Sequence, residues 1–177
     1  VFTDKQQSYK TFLSEFDDTK ASALGDYLPT KLGMDADEKV LWACLPGNYA
    51  GDLVFFFENG KAARVALSAY QTQTRRKKLI GAFSDKSPLV KVLWLKENQD
   101  LAVGASSGKT VLFDSSLLAA KSSRAAQGVG VLTLKKGQTL AWAAPVEETH
   151  IKRIARYRVR NIPAVGVNLI GVDAAED

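Results

Sequence analysis

Apolar residues fall along this chain in short runs of four to seven, with no sustained stripe at helical spacing. Runs rich in β-branched and aromatic residues occupy Leu53–Phe57, Ala62–Leu67, Leu89–Leu95, Leu101–Ala105, Thr110–Phe113, Val129–Leu134, Leu140–Ala144 and Ala164–Ile170. Each predicts a strand. Turn residues part them at Glu58-Asn59-Gly60-Lys61, Ser106-Ser107-Gly108-Lys109 and Lys135-Lys136-Gly137-Gln138. Asn-Gly and Ser-Gly between apolar runs predict hairpins, because glycine takes positive φ with no Cβ to clash. Only Asp35–Lys39 and Leu117–Lys121 offer helical candidates, and both are short. The pattern predicts an all-β fold.

The runs also repeat. Leu53–Val65, turning at Gly60-Lys61, matches Leu101–Phe113, turning at Gly108-Lys109, at an offset of 48. Val1–Thr11 fits the same frame 54 residues earlier, with Gln6 in the place of glycine. After each hairpin comes a basic stretch ending in glycine: Lys20–Gly25, Arg75–Gly81 and Arg124–Gly128. Each is followed by a further strand region, Glu38–Leu45, Ser87–Leu95 and Gly137–Ala144. A shortened fourth copy uses Ile151–Ile154 as its first strand, and Arg160–Val167 mirrors Arg124–Val131. Trp42, Trp94 and Trp142 recur in the last strand of successive units, Trp94 and Trp142 again 48 apart, and read as core.

A period near 50 with about four short strands per unit predicts blades around an axis, in which neighbours share a core. The repeats run about 1–50, 51–98, 99–146 and 147–172, one domain over 1–172, with an acidic tail at 173–177. A first strand that has already begun at Val1, and that tail, lead us to expect about three and a half blades of a longer protein.

Composition changes the picture through charge. The chain has 177 residues and a net charge of +5, but the charge is unevenly placed. Residues 1–60 carry five basic and ten acidic side chains, net −5. Residues 61–160 carry nineteen basic and six acidic, net +13, and residues 161–177 add three acids. A hundred residues at that charge predict a polyanionic partner, nucleic acid before membrane.

Other chemistry is sparse. One Cys and one His exclude an internal disulfide framework and a zinc cluster, which fits a reducing cytoplasm. Cys44, inside Leu41–Leu45, reads as a small buried hydrophobe, and no motif supports pairing it with His150. The Asp35, Asp37 and Glu38 group lacks calcium-loop spacing and reads as an exposed turn. No apolar run is long enough to span a bilayer. Gly104-Ala-Ser-Ser-Gly108-Lys109-Thr110 looks like a phosphate-binding loop, but it has three residues between its glycines where that motif needs four. A strand rather than a helix follows, so it predicts a hairpin turn. No catalytic residue, metal or cofactor is expected.

These repeats resemble the C-terminal repeat of the DNA gyrase A protein and of its counterpart in topoisomerase IV. The resemblance rests on Asn59-Gly60-Lys61 with Arg64-Val65. It is closest at Ser107-Gly108-Lys109 followed by Ser123-Arg124-Ala-Ala-Gln127-Gly128-Val129. It implies a β-pinwheel, an incomplete disc here, that binds and bends duplex DNA beside the catalytic core of a bacterial type IIA topoisomerase. That setting is cytoplasmic and nucleoid-associated. The resemblance places the catalytic tyrosine elsewhere in the same polypeptide and the ATPase on the B protein, so this chain alone would not be an enzyme. Gln73–Gly81 has the Gln, the Arg pair and the last Gly of the gyrase wrapping box but not its internal glycines. That leans toward topoisomerase IV and leaves the choice open.

With the basic stretches on the rim of such a disc, the candidate DNA contacts are Lys20, Lys31, Arg75, Arg76, Lys77, Lys78, Lys121, Arg124, Arg156, Arg158 and Arg160. No base-reading element stands out, so no sequence preference is expected. The alternatives are a blade-built protein-interaction platform, favoured by the acidic first unit, and a nucleotide-binding enzyme built on Gly104–Thr110.

Overall fold

The computed structural model describes residues 1–73 and 75–174; Thr74 and residues 175–177, most of the acidic tail, lie outside the described residues. The strands are β1 (Phe2–Thr3), β2 (Gln7–Tyr9), β3 (Val40–Trp42), β4 (Asp52–Phe57), β5 (Lys61–Ala66), β6 (Lys78–Ile80), β7 (Leu89–Leu95), β8 (Asp100–Ala105), β9 (Lys109–Asp114), β10 (Val129–Gly130), β11 (Leu140–Pro145) and β12 (Val167–Asn168). Two short helices, α1 (Leu28–Leu32) and α2 (Ile154–Tyr157), interrupt them. The all-β expectation holds.

The strands form three four-stranded sheets, ordered β3-β1-β2-β6, β10-β5-β4-β7 and β11-β8-β9-β12. Within these sheets the strands pair antiparallel, and three isolated bridges, Val65 with Lys121, Leu112 with Arg158 and Leu132 with Ala164, are parallel. Each sheet is one hairpin (β1–β2, β4–β5 or β8–β9) flanked by two more strands. The strand beside the first hairpin strand comes from the same unit. The strand beside the second hairpin strand (β6, β10 or β12) is donated by the following unit. This exchange stitches each blade to its neighbour with main-chain hydrogen bonds.

Local backbone shape shows why the hairpins repeat. Gly60 and Gly108 turn at φ 83° and 85°, and Gln6 takes φ 52° at the same position. A non-glycine residue rarely adopts this region, so the repeat frame puts a strained glutamine where its sister turns use glycine. A bulge recurs as well. The pairing slips opposite Phe2/Thr3, Phe56/Phe57 and Gly104/Ala105, three positions that are equivalent in the repeat.

Burial explains the apolar runs. Leu53, Phe55 and Phe57 of β4 face a cluster shared with the first blade, through Phe2, Tyr70 and Phe83. Val54 and Phe56 face the opposite cluster, shared with Leu101, Val103, Val111 and Phe113 of the third blade. The middle sheet is therefore covered on both faces, and an unbroken apolar run is what such a strand requires. Phe55 stacks on Phe83 with ring centroids 5.4 Å apart.

Several sequence expectations need correction. Asp35–Lys39 is a turn, and Leu117–Lys121 holds only the end of a 3-10 turn at Ser115–Leu117. The helices form elsewhere: α1 has Pro29 in its first turn and ends at Gly33 in the left-handed region, both of which the peptide geometry favours. Ile151–Ile154 is not a strand, because Ile154 opens α2. Val167 pairs with Thr110 as Val129 pairs with Ala62, so Gly166 corresponds to Gly128 and the fourth copy is offset by 38 residues rather than 36. Trp142 lies opposite Gly104 as Trp42 lies opposite Phe2, but Trp94 lies opposite Leu53, and Lys91 holds the equivalent place. All three tryptophans do pack against core clusters. The tryptophan register therefore differs by three residues in the middle blade although the sequence spacing is kept.

The fourth unit is pinned by Asp173, which is fully buried. Its carboxylate accepts from the Lys152 and Arg153 amides at 2.6 and 3.2 Å, from Arg153 Nε at 2.8 Å and from the Tyr157 hydroxyl at 3.0 Å. The Lys152 amide and then the other donors outweigh its desolvation and hold the carboxyl down at about 2, against an ordinary 3.8. A depressed carboxylate stabilises the fold above its unfolded value and loses that contribution as pH falls through the folded one. We therefore expect an acid-induced drop in melting temperature between about pH 4 and 2, part of which is absent in Asp173→Asn. Thermal melts of both proteins across that range check it.

Candidate nucleic-acid interface

The basic stretches share one place in the topology. Arg75–Lys78 leads into β6, Lys121 and Arg124 lead into β10, and Arg156, Arg158 and Arg160 lead into β12. Each therefore lies on a connection that ends in a strand donated to the neighbouring blade; the first two start from a second hairpin strand, β5 or β9, and the third starts from β11. Backbone bonds lay two of these connections along their blades. The Lys121 amide donates to the Arg64 carbonyl at 2.8 Å, and the Val159 amide donates to the equivalent Leu112 carbonyl at 2.8 Å.

The cations recur on connections that end in a donated strand but not at equivalent positions. Lys78 occupies the place that Gly128 and Gly166 hold in the other two blades, since Lys78 pairs with Tyr9 one step before Leu79 pairs with Ser8. Gly81 lies three residues further on and is not the counterpart of Gly128. What repeats is thus the loop and not the position of its cations.

The candidates also differ in what holds them. Lys20, Arg75, Arg76, Lys121, Arg156 and Arg160 are exposed. Arg124 is half-buried and donates to the Ala69 carbonyl at 2.9 Å. Arg158 bridges Asp100 at 3.0 Å and Asp114 at 3.6 Å. Lys31 lies over the Phe16 ring at 5.6 Å and donates to the Glu15 carbonyl. Lys77 pairs with Glu15 at 3.3 Å, and Lys78 pairs with Asp35 at 3.0 Å and lies 5.6 Å over the Tyr9 ring. The hydrogen bond from Lys78 to Asp35 raises the ammonium above its ordinary value, so it stays charged at any working pH.

Two cations outside the candidate DNA contacts anchor these connections. Lys10 Nζ donates to the Thr72 and Gln73 carbonyls at 3.0 and 3.1 Å, at the root of the Arg75–Lys78 stretch. Arg64 donates to the Ser115 and Leu118 carbonyls at 2.9 and 3.4 Å, at the root of the next connection, and pairs with Asp52 at 2.7 Å. The two are 54 residues apart, the offset of the first repeat, so the alignment itself carried the signal.

The acidic group is not a uniform exposed turn. Asp37 is exposed, at φ 60°, whereas Glu38 is only 6% exposed. Glu38 accepts from Thr3, from Gln7 at 2.9 Å, from the Tyr9 hydroxyl at 2.7 Å and from the Asp35 amide at 2.8 Å. Burial pushes this carboxyl up, but those hydrogen bonds prevail and hold it below its ordinary value. Among the described residues no acidic, Cys and His cluster is arranged to hold a metal ion.

Cys44 is half-buried rather than buried, on the wall of a cavity of about 680 Å³ beside Phe12, Leu13 and Tyr70. His150 Nε2 lies 2.7 Å from the Asp173 carbonyl. Gly104–Thr110 is the β8–β9 hairpin, with Thr110 already in strand, so it forms no phosphate-binding loop before a helix.

No family model and no curated protein matches the sequence. Solved structures do match the fold. The crystal structure of the C-terminal domain of DNA topoisomerase IV superposes with a TM-score of 0.72 and 24% identity, over 84% of this chain and 47% of that one. The DNA gyrase A C-terminal domain gives 0.68 and 15%, over 94% and 57%. The E. coli ParC C-terminal domain gives 0.50 and 16%, over 65% and 46%. The chain has the fold of the topoisomerase IV and gyrase A C-terminal domains. It is a β-pinwheel. The pinwheel here spans about half the length of the solved domains it matches. Among its described residues no helix is long and apolar enough to cross a membrane.

Proposed function

We propose that this chain binds duplex DNA through the phosphate backbone and bends it, without reading base sequence. The observation that carries this reading is the basic stretch on every connection to a donated strand, once per blade. Cations recurring at blade intervals meet phosphates along a curved path. Bending a 20–30 base-pair site costs on the order of 1–6 kcal/mol. Several Lys and Arg contacts offset that by releasing counterions. On this reading the chain serves as the DNA-handling part of the A protein of a bacterial type IIA topoisomerase. It would work in the cytoplasm beside the catalytic core and the ATPase protein.

Titrating salt against duplex affinity tests it. The logarithm of the affinity should fall against the logarithm of salt with a slope steeper than about −3, the mark of several displaced counterions, and equally for unrelated sequences. A slope near zero overturns the reading.

Such a flat slope would favour a protein-interaction platform instead. The observation behind that second reading is the apolar surface of the first unit, where Phe12, Leu13, Leu24 and Tyr27 are exposed, the first two on the wall of the cavity.

A further inference from the structure

The connection between β2 and β3, residues 10–39, carries seven acidic and four basic side chains and runs against the Arg75–Lys78 stretch. At one end Glu15 Oε1 meets Lys77 Nζ at 3.3 Å. At the other, both Asp35 oxygens accept from Lys78 Nζ, at 3.0 and 3.1 Å. Two of the four clustered cations thus already hold carboxylates of the same chain.

The carboxylates are set in place rather than loosely exposed. Asp35 Oδ2 also accepts from Gln7 Nε2 at 2.8 Å, and the Asp35 amide donates to buried Glu38. Glu38 is in turn fixed by Thr3, Gln7 and Tyr9 of the first hairpin. Glu15 is positioned from behind, through its carbonyl, by Lys31, and Thr11 donates to its carboxylate at 3.1 Å. Lys10 holds the other side, at the Thr72 and Gln73 carbonyls. The Lys77 hydrogen bond keeps the Glu15 carboxyl below its ordinary value, and the Gln7 and Lys78 bonds do so for Asp35. Both are anionic at neutral pH.

We propose that residues 10–39 form an acidic clamp that competes with DNA phosphate for Lys77 and Lys78 and so sets the affinity of the basic stretch. This rests on the DNA-binding reading above and names the regulation of that same surface. A phosphate oxygen approaching either ammonium displaces a carboxylate that is already hydrogen-bonded to it. Each displaced pair subtracts from the gain of the new one. Arg75 and Arg76 have no carboxylate partner among the described residues, so they make first contact and the two lysines follow as the clamp opens.

The test compares duplex binding by the wild-type chain, by Glu15→Gln/Asp35→Asn and by Asp17→Asn/Asp18→Asn, at one low salt concentration. The control pair removes the same charge from the same connection, at exposed residues with no ion pair among the described residues. The clamp predicts about three- to tenfold tighter binding for the first variant, the range expected from freeing two exposed pairs. It predicts less than about a twofold gain for the control. Equal gains in both variants reduce the effect to net charge and overturn the clamp. Wild-type binding with no gain in Glu15→Gln/Asp35→Asn overturns the clamp and leaves the DNA reading standing. No binding by any of the three overturns both.

Discussion

Reversing Arg75, Arg76, Lys77 and Lys78 to glutamate weakens duplex binding by at least about a hundredfold near 0.1 M salt and flattens the salt slope by roughly three to four. The size follows from counterion release. Each phosphate contact contributes about 0.9 to the slope, and four cations are lost together from one connection. The loss should be alike for unrelated duplexes, because phosphate contacts carry no base information. Three of the four side chains are exposed and Lys78 lies at a sheet edge, so the core clusters do not depend on them. Far-UV circular dichroism and a melt confirm that the variant is folded. Lys135→Glu/Lys136→Glu, two exposed cations in the turn before β11, is the comparison. It should cost far less, and an equal loss per charge would mean that net charge alone governs binding.

The second large effect is on stability. Gly128→Ala is expected to cost about 3 kcal/mol or more, a drop of roughly 6–12 °C in melting temperature for a chain of this size. Two causes add. Gly128 sits at φ 78°, which an alanine adopts only with strain. A Cβ there would stand 2.2 Å from the Ala62 carbonyl oxygen and 2.4 Å from its carbon. That contact is with backbone of the receiving hairpin, so only withdrawal of β10 relieves it. Gly166 repeats the arrangement against Thr110, with 2.4 Å to the carbonyl oxygen. Gly137, at φ 82° with nothing within 4 Å of its Cβ position, separates the two causes. Gly137→Ala should cost only about 1 kcal/mol, from backbone strain alone. Equal costs at the two positions would mean that the exchanged strand contributes little to holding the blades together.

The hairpins were readable because a positive-φ turn between apolar runs is a local signal, and Asn59-Gly60 and Ser107-Gly108 carry it. Even Gln6 could be placed, since its neighbours hold the frame and its backbone adopts the same left-handed turn. The donated strands were hard to read. β10 and β12 are two residues each, and their pairing partners lie in another unit more than fifty residues away. Gly81 matched the pattern and Lys78 occupied the position, because pairing register is set by hydrogen bonds that no spacing rule records.

The basic residues divide the same way. All were visible as charge, and their recurrence after each hairpin was visible as a repeat. Which of them are already committed was not. Lys77 and Lys78 meet Glu15 and Asp35 across 62 and 43 residues, and Arg158 meets Asp100 across 58. Ion pairs of that range depend on how blades and connections pack.

The chain by itself therefore determined its hairpin strands, its hairpin turns, its repeat and the sign of its surface, because each is written in residues a few positions apart. The tertiary structure alone decided which unit completes which sheet, which cations remain exposed and which carboxylates oppose them. Those are contacts between segments distant in sequence, chosen by shared burial of the blade faces and by the main-chain register of the exchanged strands.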